Sequence, residues 1–140
     1  MSQSPESSPA ATPVDPNRPS TAAFVTGWVL TVLPAAGLMF SAVMKFIQPA
    51  PPEETAKYLD PIGWKLEQMY GLGILELTCV ILYVIPKTAV LGAILVTGYI
   101  GGIIATHVRV GDFGVVPFII VGVLTWLGPF FRYPKLRRML

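Results

Sequence analysis

Charge, cysteine and histidine are all scarce in this chain. Charged side chains make up 13% of its 140 residues and hydrophobic ones 53%, far from a soluble globular domain, where about 25% are charged. The net charge of +2 and the dispersed basic residues argue against a nucleic-acid partner. Cys79 is the single cysteine, so an internal disulfide and a CxxC redox pair are excluded, which argues against thiol exchange. His107 is the single histidine. One imidazole among scattered carboxylates does not build a metal site, and no metal is assigned. A phosphate loop, a dinucleotide fingerprint and a haem-type histidine pair are also missing, so no cofactor of the chain's own is evident.

What is present is apolar. Four stretches, Ala22 to Ile47, Gly63 to Ile85, Ala89 to Val108 and Phe113 to Phe131, fill most of the chain. Each is close to the roughly 20 residues a helix needs to cross a hydrocarbon core about 30 Å thick. Lipid offers no partner to backbone N–H and C=O groups, so such segments close their hydrogen bonds internally as helices. The expected fold is all-α and integral to the lipid bilayer, a bundle of four transmembrane helices over residues 22–132. Before it, residues 1–21 hold five Pro and five Ser and read as a disordered tail. The first apolar run is longer than the about 7 to 15 residues of a cleavable signal and only Arg18 precedes it, so it is read as a retained span.

Orientation follows from Lys and Arg. Arg132, Lys135, Arg137 and Arg138 form a basic C-terminal segment, 133–140 being a short tail, and Lys87 lies in the turn between the second and third spans. Both termini are therefore expected in the cytoplasm, with Gln48 to Ile62 and the connection at Gly111 outside. Trp28 and Trp126 are expected as interfacial anchors on the inner side, Tyr58 and Trp64 on the outer. Pro34 falls within the first span and Pro117 in the first turns of the fourth. In the third span Gly98 and Gly102 are spaced GxxxG, and Gly101 pairs likewise with Ala105. Such small residues let a neighbouring backbone approach, either inside the bundle or across a homo-oligomer face.

Glu76 is the sharpest chemical signal. Counting from Trp64 places it about 18 Å below the outer interface, near the bilayer middle. An acid there costs about 2.5 to 3.5 kcal/mol on insertion scales and calls for a partner inside the protein. Lys65, Met69, Gly73, Glu76, Val80 and Tyr83 share one helical face, and Glu67 lies on the opposite side, so the two acids are not a pair. Glu76 is either a structural hydrogen-bonding group or a site for a proton, quinone or other ligand. A second constellation is expected at the outer boundary: Lys45 with Glu67 and Tyr70, and His107, Arg109 and Asp112 closing the third span. Arg109 suits a carbonyl, carboxylate or headgroup and His107 titrates near neutral pH. The plainer alternative is snorkelling cations beside an ordinary interfacial histidine.

Ser41-Ala42-Val43-Met44-Lys45-Phe46, then Gly71 to Leu77, Leu91-Gly92-Ala93 and the run Thr97 to Arg109 resemble, in order and spacing, the DoxX-like family of small bacterial membrane proteins. The resemblance runs from about Phe24 to Arg132. Family members often have Gly where Ala42 stands and Ala where Ile103 stands, differences that bear on helix spacing. The resemblance implies a multi-pass protein of the bacterial cytoplasmic (inner) membrane, and it points to Lys45 and Glu76, with His107 and Arg109 after them. Named members are linked to respiratory or thiosulfate–quinone oxidoreductase complexes and to protection against oxidative stress.

Three functions are expected on these grounds. The first is an accessory or quinone-contacting subunit of a membrane redox complex, more a partner of an oxidoreductase than a stand-alone enzyme. A small-molecule binder or permease acting as an oligomer is the second, and a membrane-protein scaffold the third.

Overall fold

The computed structural model describes residues 19–48 and 51–139. The tail reading falls outside them up to residue 18. Among the described residues the chain is helical without strands: α1 Thr21–Ile47, α2 Pro52–Leu59, a 3-10 turn Asp60–Ile62, α3 Leu66–Val84, α4 Ala89–Arg109, α5 Val116–Arg132 and α6 Pro134–Met139. Three helices, α1, α3 and α4, are long and apolar enough to cross a membrane. The apolar α5 is shorter.

Local chemistry sets these ends. Ser20 caps α1, its Oγ accepting from the Ala23 N–H at 3.2 Å, and α1 runs unbroken past Pro34 to Gln48, whose φ of 44° ends it. At the start of α3 the Gln68 side chain reaches back to the Lys65 N–H at 2.8 Å. Thr88 closes the α3–α4 turn by donating to the Leu82 carbonyl at 2.8 Å. The fourth apolar stretch was expected from Phe113, but helix begins only at Val116. Gly111, at φ 79°, turns the chain, and Asp112 Oδ1 takes the Gly114 N–H at 2.9 Å, so these residues bend instead of coiling.

The connection after α1 holds an element that periodicity did not reveal. Pro52 opens α2, Glu53 and Glu54 occupy its first turn and Lys57 its last, an order that suits the helix dipole. Eight residues are too few to register as an apolar period. Leu59 at its end is nonetheless buried.

The four long helices pack in a ring in which α1 touches α3 and α5, and α4 touches the same two; backbones across the diagonal do not approach. The centre is filled by Ala35, Leu38, Val80, Tyr83, Ala93, Val96 and Ile100. Outward positions are as apolar as this core, including Val29, Leu33, Phe40, Ile74 and Val123, as lipid contact requires. With no water to drive apolar surfaces together, close backbone approach counts for more. The glycines that supply it are Gly92, against the backbone of Leu82 and Tyr83, and Gly27 and Gly128, where α1 meets α5. Gly98, Gly101 and Gly102 make no such approach within the chain. A Cβ at any of the three would meet nothing within 4 Å.

Candidate functional site

α1 ends below the top of α3. Gly73, seven residues into α3, lies against Lys45 and Phe46, about two turns beneath the first residue of that helix. Lys45, expected beside Glu67 and Tyr70, is brought within reach of Glu76. Its Nζ lies 2.7 Å from Glu76 Oε2 and donates to Ser41 Oγ, also at 2.7 Å. Ser41 in turn donates to the same carboxylate oxygen at 3.3 Å. Ser41 and Lys45 are one turn apart on α1, so both fall on the face turned to α3.

Glu76 is 1% exposed, whereas the Lys45 side chain keeps 20% of its surface. Its second oxygen, Oε1, is buried and makes no hydrogen bond. The Tyr99 phenol of α4 lies beside the same carboxylate, close enough to interact with it. Glu76 therefore has a cation on one side, a hydroxyl beside it and one acceptor unused.

Beside this pair opens a cavity of about 780 Å³, bounded by α1, α3, α4 and the segment Tyr58 to Trp64. Ser41 and Lys45 contribute its charged and hydroxylic wall, Tyr99 and His107 further polar atoms, and Leu72, Leu75, Ile94 and Leu95 much of the rest. Gly98 and Gly102 line it too, so their missing side chains widen the cavity. A volume of this size takes a drug-sized molecule, and a mostly apolar wall with few polar groups is the usual composition of such sites.

The remaining members of the outer constellation separate. Glu67 and Tyr70 are exposed, with Tyr70 against Phe46 at 6.4 Å between ring centroids. Arg109 does not reach Glu76; it donates to the Ile62 carbonyl at 3.1 Å and ties the 3-10 turn to the end of α4. His107 Nδ1 lies 2.9 Å from the Ile103 carbonyl, which assigns the hydrogen to Nδ1 because a carbonyl only accepts. Its Nε2 is 4.0 Å from Asp112 Oδ2, and its ring rests on Phe118 at 5.4 Å.

Sequence reasoning missed three participants. Tyr99 was visible only as a phenol mid-span, and nothing local tells which side it faces. Arg132 was read as part of a basic tail, yet it is 5% exposed. Trp126, expected as an interfacial anchor, donates from Nε1 to Thr97 Oγ1 at 2.9 Å, a bond to α4 that spacing does not reveal.

No curated protein and no solved structure matches the chain. The sequence pattern of the DoxX-like family matches residues 29–128, which takes in the whole of α3 and α4 and most of α1 and α5, together with Ser41, Lys45, Glu76, Tyr99 and His107. With that pattern running through the ring of helices and the cavity wall alike, the chain is a membrane protein and belongs to the DoxX-like family.

Proposed function

We propose that this protein is a quinone-contacting accessory subunit of a membrane redox complex, and that the cavity beside Lys45 and Glu76 holds the quinone. The observation that carries the reading is an apolar space of about 780 Å³ with a lysine–glutamate pair at 2.7 Å on its wall. Lys45 has three N–H donors. Two are taken, by Ser41 and Glu76, which leaves one for a carbonyl oxygen in the cavity. The apolar side walls suit a flat ring and an isoprenoid tail, so the donor set and the shape fit such a group. When bound, a quinone accepts electrons and protons; the electrons come from a partner subunit. The chain's own residues orient the ring, keep water away from it and, through Lys45, favour negative charge at the carbonyl.

In this reading α5 is a fourth span and the protein sits in a bacterial cytoplasmic membrane with both termini inside. Lys87, Arg132, Lys135, Arg137 and Arg138 gather at the end where α1 begins and α5 ends, against Lys57, Lys65 and Arg109 at the other, an excess in the direction of the positive-inside rule.

The test is purification from native membranes in mild detergent, with quinone quantified per chain by mass spectrometry and co-purifying subunits identified. About one quinone per chain is expected, falling at least tenfold in Lys45→Met through loss of a charged hydrogen bond, alongside a stoichiometric oxidoreductase subunit. Quinone no richer than in bulk lipid sinks the proposal. A clean homo-oligomer without an oxidoreductase would turn the reading toward an independent binder or permease.

A further inference from the structure

At the end of the molecule away from the cavity, the last residue of α5 is a buried arginine. Arg132 is 5% exposed. Its guanidinium carbon lies 3.8 Å from the centroid of the Trp28 ring and 5.3 Å from that of Tyr133. Nη1 donates to Thr31 Oγ1 at 3.3 Å. Nε and Nη2 have no hydrogen-bond partner among the described residues, yet they are not sealed from the surroundings. Neither ion pair among the described residues involves Arg132. The site has been given room, because a Cβ on Gly27 would stand 2.6 Å from Arg132 Cγ.

Buried arginines are ordinarily paired with an anion. None of the chain's described acids can serve, since Glu53, Glu54, Asp60, Glu67, Glu76 and Asp112 all lie mid-span or at the opposite end. Lys87, Lys135 and Arg137 share the end that holds Arg132, so among the described residues the charges around the open edge of the guanidinium are positive.

We propose that Arg132, laid across Trp28 at the seam of α1 and α5, binds the phosphate of an anionic phospholipid headgroup. The indole covers one face of the guanidinium and fixes its plane, which leaves edge N–H groups for the parallel bonds that a phosphate accepts. Trp28 and Tyr133 are the amphipathic aromatics of a membrane boundary. Val29 and Val32, 60% and 54% exposed, follow Trp28 toward the middle of α1 as an apolar strip for acyl chains.

Native mass spectrometry of the full chain in mild detergent tests this with phosphatidylglycerol and phosphatidylethanolamine of the same acyl chains. The wild-type protein retains one phosphatidylglycerol about tenfold better than the zwitterionic lipid, whose ammonium offsets the phosphate charge that Arg132 holds. Arg132→Gln and Trp28→Leu lose that preference, and Arg137→Gln keeps it. Equal retention of the two lipids by the wild type, or a preference that survives Arg132→Gln, overturns the proposal. Excess inorganic phosphate that displaces the lipid and occupies the site alone would assign it to a free anion and overturn the lipid assignment. Should Arg132→Gln fail to fold, the wild type decides the matter by another route. Brominated phosphatidylglycerol must then quench the Trp28 emission, measured as the difference from Trp28→Phe, more strongly than brominated phosphatidylethanolamine, and equal quenching overturns the proposal.

Discussion

Lys45 and Glu76 are 31 residues apart in sequence and form an ion pair that stability alone does not explain. Moving two charges out of water costs several kcal/mol each, and their attraction offsets this only where geometry and further hydrogen bonds are good. Here the offset is incomplete, for Glu76 Oε1 is buried and unbonded. The pair is also lopsided, with Glu76 at 1% and the Lys45 side chain at 20% exposure, so the two partners should respond differently to removal. Lys45→Met strands a sealed carboxylate and is expected to cost about 3 kcal/mol, the lower end for breaking a buried pair because lysine is partly open. Glu76→Gln leaves a cation that can turn into the cavity and should cost about 1 to 2 kcal/mol. Denaturant unfolding of the two variants and the double variant in detergent gives the coupling; additive losses would show that the pair carries no interaction. Glycines offer a second contrast. Gly92→Ala drives a methyl group into the backbone of Leu82 and Tyr83 and should cost more than about 2 kcal/mol, whereas Gly98→Ala meets open space and should stay within about 0.5 kcal/mol.

At the scale of elements, α4 divides its labour between its two halves. Its N-terminal half packs through Gly92, Ala93 and Val96, while Gly98 and Gly102 open the cavity. Gly102→Leu should therefore leave the unfolding midpoint within a degree or two of wild type yet lower the quinone retained per chain several-fold, since a leucine side chain there enters the cavity. Unchanged quinone content would show that this wall is not part of the site. The segment from α2 to Trp64 is held differently, by the bond from Arg109 to the Ile62 carbonyl at 3.1 Å and by buried Leu59. Arg109→Ala removes a charged hydrogen bond that is worth about 1.5 to 3 kcal/mol locally. Faster proteolytic cleavage within 51–65, with the core helices still resistant, is the expected result, and an unchanged cleavage rate would mean that Leu59 suffices.

For the whole molecule, the ring of α1, α3, α4 and α5 requires alternate helices to run in opposite directions, so the two chain ends share a side if all four helices cross. Single cysteines introduced at Lys57 and at Lys135 in a Cys79→Ser background should then react with a membrane-impermeant maleimide from opposite faces, Lys57 from outside; labelling of both from one face would contradict four crossings. At 17 residues, α5 is about 26 Å long, short of a hydrocarbon core of about 30 Å, so four crossings would require local thinning of the bilayer, at modest cost. Much of this was legible in the chain. Apolar runs of helical length announced helices, because hydropathy is summed locally along the sequence. Likewise the 3.6-residue period put Lys65, Met69, Gly73, Glu76, Val80 and Tyr83 on one face of α3; the last five are buried there, whereas Lys65 precedes the helix and is exposed. What sequence could not supply was the axial offset between helices. Lys45 looked interfacial because it ends α1, and only the staggered packing of α1 against α3 lowers it to Glu76. Spacing likewise marked Gly98 and Gly102 as contacts, but whether a glycine admits a helix or leaves a void depends on what stands opposite. The sequence by itself determined that the chain forms apolar helices with one acid at mid-span. Which cation meets that acid, and where a cavity opens beside it, was decided by tertiary packing, because both depend on the relative height and rotation of helices that share no local residues.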